Sequence, residues 1–197
     1  MIKTIIFDIG RVLVDWNWEE YLNNLFDKDT AKAVGKAYFL HPDYNEFDRG
    51  VLTTEEILQR FIKTAPDIEK EIRICFSRMG ETVVQRDTAI PWIKELKERG
   101  YRVLFLSNYS YQMRELNPEA LSFIEYMDGG VFSCDVKLIK PDPEIYKCIL
   151  DKYNLNPNEC IFIDDNGDNI DTAKSLGINA IQYITYNQVR EEMEKLL

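Results

Sequence analysis

The sequence predicts an α/β fold: a doubly wound parallel sheet, interrupted once after its first strand by an inserted helical block. Three observations predict it. An apolar run, Ile5-Ile6-Phe7, begins near the N-terminus and ends on Asp8, and two comparable runs, 103–106 and 160–163, also end on polar residues. From Asp87 onward, strand-like runs alternate with helical stripes, the pattern of parallel βαβ units with right-handed crossovers. Residues 16–86 carry helical spacing alone. A lone first strand needs the later ones for pairing, so the block reads as an insertion. The expected division is 1–15 and 87–197 for the core and 16–86 for the inserted unit, a size that 197 residues can support.

The elements follow in order. After Asp8, Val12-Leu13-Val14 is a second apolar triplet, ending in Asp15. Tyr21, Leu25 and Phe26 recur at helical spacing, as do Ile57, Phe61 and Ile62, and then Ile68, Ile72, Cys75 and Met79. Thr53 followed by Glu56 forms a capping box, so a helix should begin near Thr54. With breaks at Gly50 and Pro66, the block is expected to hold about four helices and no strand. Ile90, Ile93 and Leu96 form a stripe that stops at Gly100. A buried strand from Arg102 to Leu106 delivers Ser107 and Asn108, and a weak strand follows near Val131-Phe132. Pro141-Asp142-Pro143 opens a helix carrying Ile145, Ile149 and Tyr153, with proline tolerated in the first turn. The strand 160–163 delivers Asp164 and Asp165. A helix with Ile170, Ala173 and Leu176 stops at Gly177, and Ala180-Ile181 begins the last strand.

Composition narrows the function classes. Hydrophobic content of 45% and charged content of 29% are ordinary for a globular protein. With 34 acidic against 24 basic residues and no basic block, nucleic acid and anionic membrane are poor partners. The four cysteines lack C-x-x-C spacing and His41 is the single histidine, which argues against a disulfide framework or a zinc site. No run approaches the roughly 18 apolar residues of a membrane span, and none after Met1 looks like a signal peptide. The expected location is cytoplasmic, and the expected state a monomer or weak dimer.

In an open parallel sheet, ligands bind beyond the carboxyl ends of the strands. Asp8, Ser107-Asn108 and Asp164-Asp165 should therefore meet on one edge, with Lys140 just ahead of a helix. Their chemistry is coherent. Clustered carboxylates hold a hard cation such as magnesium. A hydroxyl and an ammonium suit phosphoryl oxygens, and a carboxylate beside them can attack phosphorus. Ser107 alone would read as a loop hydroxyl and Lys140 alone as a solvated charge. Asp164 and Asp165, adjacent after four apolar residues, repel each other unless a cation intervenes.

Four stretches carry a resemblance: Phe-Asp-Ile-Gly at 7–10, Leu-Ser-Asn at 106–108, Lys-Pro-Asp-Pro-Glu-Ile-Tyr at 140–146 and Phe-Ile-Asp-Asp-Asn at 162–166. In type and order they resemble the four motifs of the haloacid dehalogenase superfamily, whose core is Rossmann-like. The helical block sits where subfamily I members carry a cap, and Phe47-Asp48-Arg49-Gly50 resembles a cap signature of the branch with Asp-Asp in its fourth motif. The stretch from Asp164 to Gly177 is similar to that of bacterial alpha-D-glucose-1-phosphate phosphatases. The resemblance implies that Asp8 is the nucleophile and a magnesium ligand, and that residue 10 contributes its backbone carbonyl. It implies that Ser107 and Asn108 bind the phosphoryl group, that Lys140 neutralises it, and that Asp165 ligates the metal with Asp164 acting through water. Asn169 stands where many relatives have another acid.

Gly10 is the departure, because most phosphatases of the family place a second aspartate there as general acid and base. Such catalysis is typically worth 10²–10⁴-fold. Proton transfer through water or Asp15, an undemanding sugar 1-phosphate leaving group, or a phosphate-binding regulatory protein with little turnover all remain open. A metal-independent 2-haloacid dehalogenase would also lack that aspartate, but has no use for Asp164 and Asp165. Trp16, Trp18, Tyr38, Phe39, His41 and Tyr44 could line a small pocket, although core packing is the commoner fate of such residues. His41 is retained as a cap contact. The resemblance implies a magnesium-dependent phosphatase acting on a small phosphorylated metabolite such as glucose 1-phosphate.

Overall fold

The structure is a computed structural model that describes residues 1–197. Strand β1 (Thr4–Phe7) is buried along its whole length, because its apolar residues alternate between two covered faces. It pairs in parallel with β4 (Arg102–Ser107) on one side and β6 (Cys160–Asp164) on the other, with Thr4 opposite both Arg102 and Cys160. Strands β5 (Gly130–Phe132) and β7 (Asn179–Gln182) complete a five-stranded parallel sheet of order β5-β4-β1-β6-β7. The carboxyl ends of the three central strands are thus neighbours, although Asp8, Ser107 and Asp164 lie far apart in sequence.

Helices cover both faces. Ile6, Leu104 and Phe162 pack with α9 (Pro143–Tyr153) and α10 (Gly167–Ser175) through Ile145, Ile149 and Ile170. On the other face, Ile5, Phe7 and Val103 meet α6 (Ala89–Glu98) and α11 (Tyr186–Glu194). There the Trp92 ring lies edge-on to Phe7 at 4.7 Å. The same apolar cluster continues into α1 (Trp18–Leu25), α2 (Lys28–Ala37), α3 (Tyr44–Arg49), α4 (Thr54–Thr64) and α5 (Glu69–Ser77). The inserted block therefore shares one core with that face of the sheet.

Several sequence expectations need correction. The block holds five α-helices, not four. The face of α2 is built from small residues, Ala31, Val34, Gly35 and Ala37, whose apolar stripe is faint in sequence. The block also contains a strand, since β3 (Val83–Gln85) pairs antiparallel with β2 (Val14–Trp16) and Trp16 lies opposite Val83. The chain enters and leaves the helices through this ribbon, so the expected boundary at residue 16 falls inside a strand. Helices α7 (Tyr111–Leu116) and α8 (Ser133–Val136) are short additions where the sequence predicts no helix. Helix α4 starts at Thr54, as expected, with the reciprocal Thr53–Glu56 capping box. No helix is long and apolar enough to cross a membrane.

Candidate active site

Asp8 leaves β1 with its backbone N–H on the Ile163 carbonyl at 2.8 Å, which extends the ladder one residue and fixes where the carboxylate stands. Lys140 is 3% exposed, and its Nζ lies 2.8 Å from Asp8 Oδ1 and 2.6 Å from Asp164 Oδ2. One buried ammonium thus bridges two strand ends. Its own backbone is gripped by Asn108, whose Oδ1 accepts from the Lys140 N–H at 2.8 Å while Nδ2 donates to the Lys140 carbonyl at 3.0 Å. Asn108 thus positions Lys140 through both side-chain atoms, and the second hydrogen of its Nδ2 remains to be donated in a pocket that Asn108 also lines. The nearly buried Ser107 lines the pocket with a hydroxyl committed to no partner in the chain.

Asp164 is fully buried and accepts from Lys140 Nζ, from the Asn166 N–H at 2.8 Å, and from Asn169 Nδ2 at 2.9 and 3.0 Å. It holds Lys140 in place, and Asn169 in turn holds Asp164. Asp165 is half-buried at the pocket wall, with Arg11 Nη1 at 3.9 Å from Oδ2. Asp8, Asp164 and Asp165 each place a carboxylate oxygen within 4.8 Å of the others.

Negative charge is in excess, since three carboxylates meet one buried lysine and, at the rim, the half-exposed Arg11 beside Asp165. Burial pushes the Asp8 carboxyl up to about 7, and Asp164 and Asp165 add to the rise against the pull of Lys140. Burial also raises Asp165, with Asp164 contributing. Burial pulls the Lys140 ammonium down, but Asp164 and Asp8 outweigh it and hold the group above its ordinary value. An all-oxygen donor set with surplus negative charge fits a hard divalent cation.

Two sequence candidates fall away from this centre. Asp15 is bound by Arg86, whose Nη2 lies 2.8 Å from Oδ1, and it does not line the pocket. It points across the β2–β3 ribbon and cannot stand in for the aspartate absent at position 10. His41 packs its ring on Phe61 at 5.0 Å, and its Nδ1 accepts the Asp43 N–H at 3.0 Å. Burial lowers its pKa, and it too lies away from the pocket. Gly10 does line the pocket, and a Cβ built there would meet nothing within 4 Å.

The pocket encloses about 220 Å³, below the roughly 300–1,000 Å³ of drug-sized sites, which suits a small ligand. Its roof is aromatic. Trp16 and Tyr44 lie with ring centroids 6.1 Å apart, and the Arg11 guanidinium sits 5.1 Å from the Trp16 centroid. Trp18, Tyr38 and Phe39 pack into the core instead. Arg11, Tyr109 and Met113 also line the pocket without having been marked in the sequence, as does Asp48, which stood out there only as part of a cap signature. Tyr109 directly follows Ser107-Asn108, so adjacency to that motif was the one available signal. The buried Trp16 Nε1 and Tyr109 hydroxyl have no hydrogen-bond partner.

Comparison with known proteins shows the family. The model of the haloacid dehalogenase-like hydrolases matches residues 2–177. The chain is 25% identical over 218 residues to D-ribitol-5-phosphate phosphatase of Bacteroides thetaiotaomicron, covering all of this chain and 99% of that protein. It is 29% identical over 206 residues to acyl-CoA dehydrogenase family member 10 of Mus musculus, covering 99% of this chain but 19% of that protein. The chain spans between 16% and 39% of the length of the first curated relatives it matches. A Bacteroides thetaiotaomicron enzyme of the same family, solved with magnesium and inorganic phosphate, superposes with a TM-score of 0.71 at 20% identity, covering 96% of this chain and 99% of that one.

Proposed function

The chain belongs to the haloacid dehalogenase-like hydrolases, and on that premise we propose that it is a magnesium-dependent phosphatase of a small phosphomonoester, a sugar or polyol phosphate. The observation that carries this reading is the buried Lys140 bridging Asp8 and Asp164 beside Asp165, at the mouth of an uncommitted pocket. The relatives that hydrolyse D-ribitol 5-phosphate or were solved with magnesium and phosphate support it.

Asp8 and Asp165, with the Gly10 carbonyl, would hold the cation. When bound, it would neutralise phosphoryl charge and the excess of carboxylates. Asp8 attacks phosphorus, and an aspartyl-phosphate replaces the ester bond. Lys140 compensates the charge on the phosphoryl oxygens, and the Ser107 hydroxyl donates to one of them. Asp164 and Asn169 keep Lys140 pointed at that group. The helices of residues 16–86 act as a cap that excludes water from the reacting centre. A haloacid dehalogenase is disfavoured by Asp165, because a carboxylate repels the anionic substrate of that reaction.

The test is a phosphate-release screen on glucose 1-phosphate, other hexose phosphates, ribitol 5-phosphate and pyrophosphate, with magnesium and with a chelator. Metal-dependent release from a monoester supports the reading. Silence across the panel with metal bound favours a binding protein, and halide release from a 2-haloacid without metal overturns the phosphatase.

A further inference from the structure

The unresolved step is proton transfer, because no aspartate stands two residues after Asp8. We propose that Asp48, reaching down from the inserted block, is the general acid and base of the reaction. This rests on the phosphatase reading above.

Three observations place it. Asp48 lines the same pocket as Asp8, Gly10 and Lys140, and its carboxylate has no hydrogen-bond or ion-pair partner in the chain. A half-buried, unpartnered carboxylate costs stability unless it is neutral or meets a ligand. Its placement is also held from the core. Ser133 Oγ on α8 donates to the Asp48 carbonyl at 2.6 Å. Gly50 closes α3 at φ 66°, where a Cβ would sit 2.9 Å from the Cys134 side chain, so only glycine lets α3 lie this close to α8. Lys137 also donates to the Gly50 carbonyl. Asp48 thus belongs to the inserted block by sequence, with its backbone pinned to α8 of the core.

The third observation is the opening at residue 10. A Cβ at residue 10 would meet nothing within 4 Å, so the space beside Asp8 is open, and Asp48 lines the same pocket. The groups around it are Asp8, Lys140, Tyr44, Tyr109, Tyr38 and Cys134, and Lys140 is the cation among them. Burial, reinforced by Asp8, lifts the Asp48 carboxyl to about 7, which suits a group that must both give and take a proton near neutrality.

The step balances. Asp8 forms a bond to phosphorus, the ester P–O bond breaks, and its electron pair goes to the leaving oxygen, which takes the Asp48 proton. The Asp48 carboxylate then takes a proton from water as that water's oxygen bonds to phosphorus. The Asp8–phosphorus bond breaks, returning the carboxylate, inorganic phosphate and a protonated Asp48.

The experiment follows the first turnover of ribitol 5-phosphate, whose alkoxide needs a proton, and of 4-nitrophenyl phosphate, whose phenolate does not. Wild type, Asp48→Asn and Asp48→Asn/Gly10→Asp are compared with magnesium present. The assignment expects Asp48→Asn to slow ribitol release by about 10²–10⁴-fold. The nitrophenolate burst should change less than about 10-fold and be followed by slow turnover, because the base for the second step is also gone. An aspartate at residue 10 should then recover much of the loss, which a folding defect would not allow. Equal losses on both esters, or a raised KM with kcat unchanged, would show that Asp48 only binds substrate and overturn the assignment. A wild type that cleaves the aryl ester alone also contradicts it. A wild type that cleaves neither ester is assayed with whichever alkyl phosphate the panel above shows it to hydrolyse, and silence on that whole panel overturns the phosphatase reading, and the role of Asp48 with it.

Discussion

The floor and the roof of the pocket are built on opposite plans. On the floor, Lys140, Asp164, Asn108 and Asn169 hold one another through buried charged hydrogen bonds, leaving few free valences. On the roof, Trp16 Nε1 and the Tyr109 hydroxyl are buried without a partner, and the half-buried Asp48 carboxylate has none in the chain. Buried polar groups are normally satisfied. A saturated floor makes a rigid cradle for the invariant part of a substrate, the phosphoryl group. An unsatisfied roof waits for its variable part and for the proton that part needs.

Variants can break this contrast, the floor first. Lys140→Ala leaves Asp8 and Asp164 buried without their cation. Removing one partner of a buried pair costs about 3–5 kcal/mol, so the urea midpoint should fall sharply and turnover should drop below about a thousandth. A stable, active Lys140→Ala protein would show that the floor is not charge-coupled.

The same distinction explains what the sequence disclosed. The floor was legible because strand ends carry it: Asp8, Ser107 and Asp164 each follow an apolar run, and a parallel sheet must bring them to one edge. Their division of labour was less legible. Asn108 and Asp164 look like ligands in sequence, and contacts 32 and 24 residues away turn them into supports for Lys140. The roof was half legible: Trp16 and Tyr44 were among the candidates for a pocket wall and do line it, but helical spacing tells which residues are apolar and not which of them face a cavity. Trp16 and Trp18 differ by two positions, and one lines the pocket while the other stacks on Phe39 at 5.0 Å.

A subtler probe is the stability of Asp48→Asn against pH. The wild-type carboxyl is lifted to about 7 from an ordinary 3.8, so between these values the folded protein keeps a proton that the unfolded chain has lost. Wild-type stability therefore falls as pH rises through that window, and an asparagine does not titrate. The variant should match the wild type near pH 4 and exceed it by about 1–3 kcal/mol above pH 7, read from denaturation midpoints. A pH-independent difference would mean that the carboxylate is well solvated.

Smaller effects separate the Tyr109 hydroxyl of the roof from the floor. Tyr109→Phe removes a hydroxyl without a partner, so the unliganded protein should lose no stability. The KM for a polyol phosphate should rise by up to about 10-fold, the worth of one hydrogen bond, with 4-nitrophenyl phosphate unaffected. Asp15→Asn, which weakens an ion pair to Arg86 outside the pocket, should change turnover by less than about 3-fold. A large loss there would return Asp15 to the mechanism.

The most direct measurement is the covalent state of Asp8 during turnover. Wild-type protein mixed with a phosphomonoester and magnesium is acid-quenched, digested, and its N-terminal peptide weighed by mass spectrometry. The account predicts a peptide one phosphoryl group heavier, with the addition on Asp8, and neither adduct nor phosphate release from Asp8→Asn. Phosphate release at the wild-type rate by Asp8→Asn would contradict it.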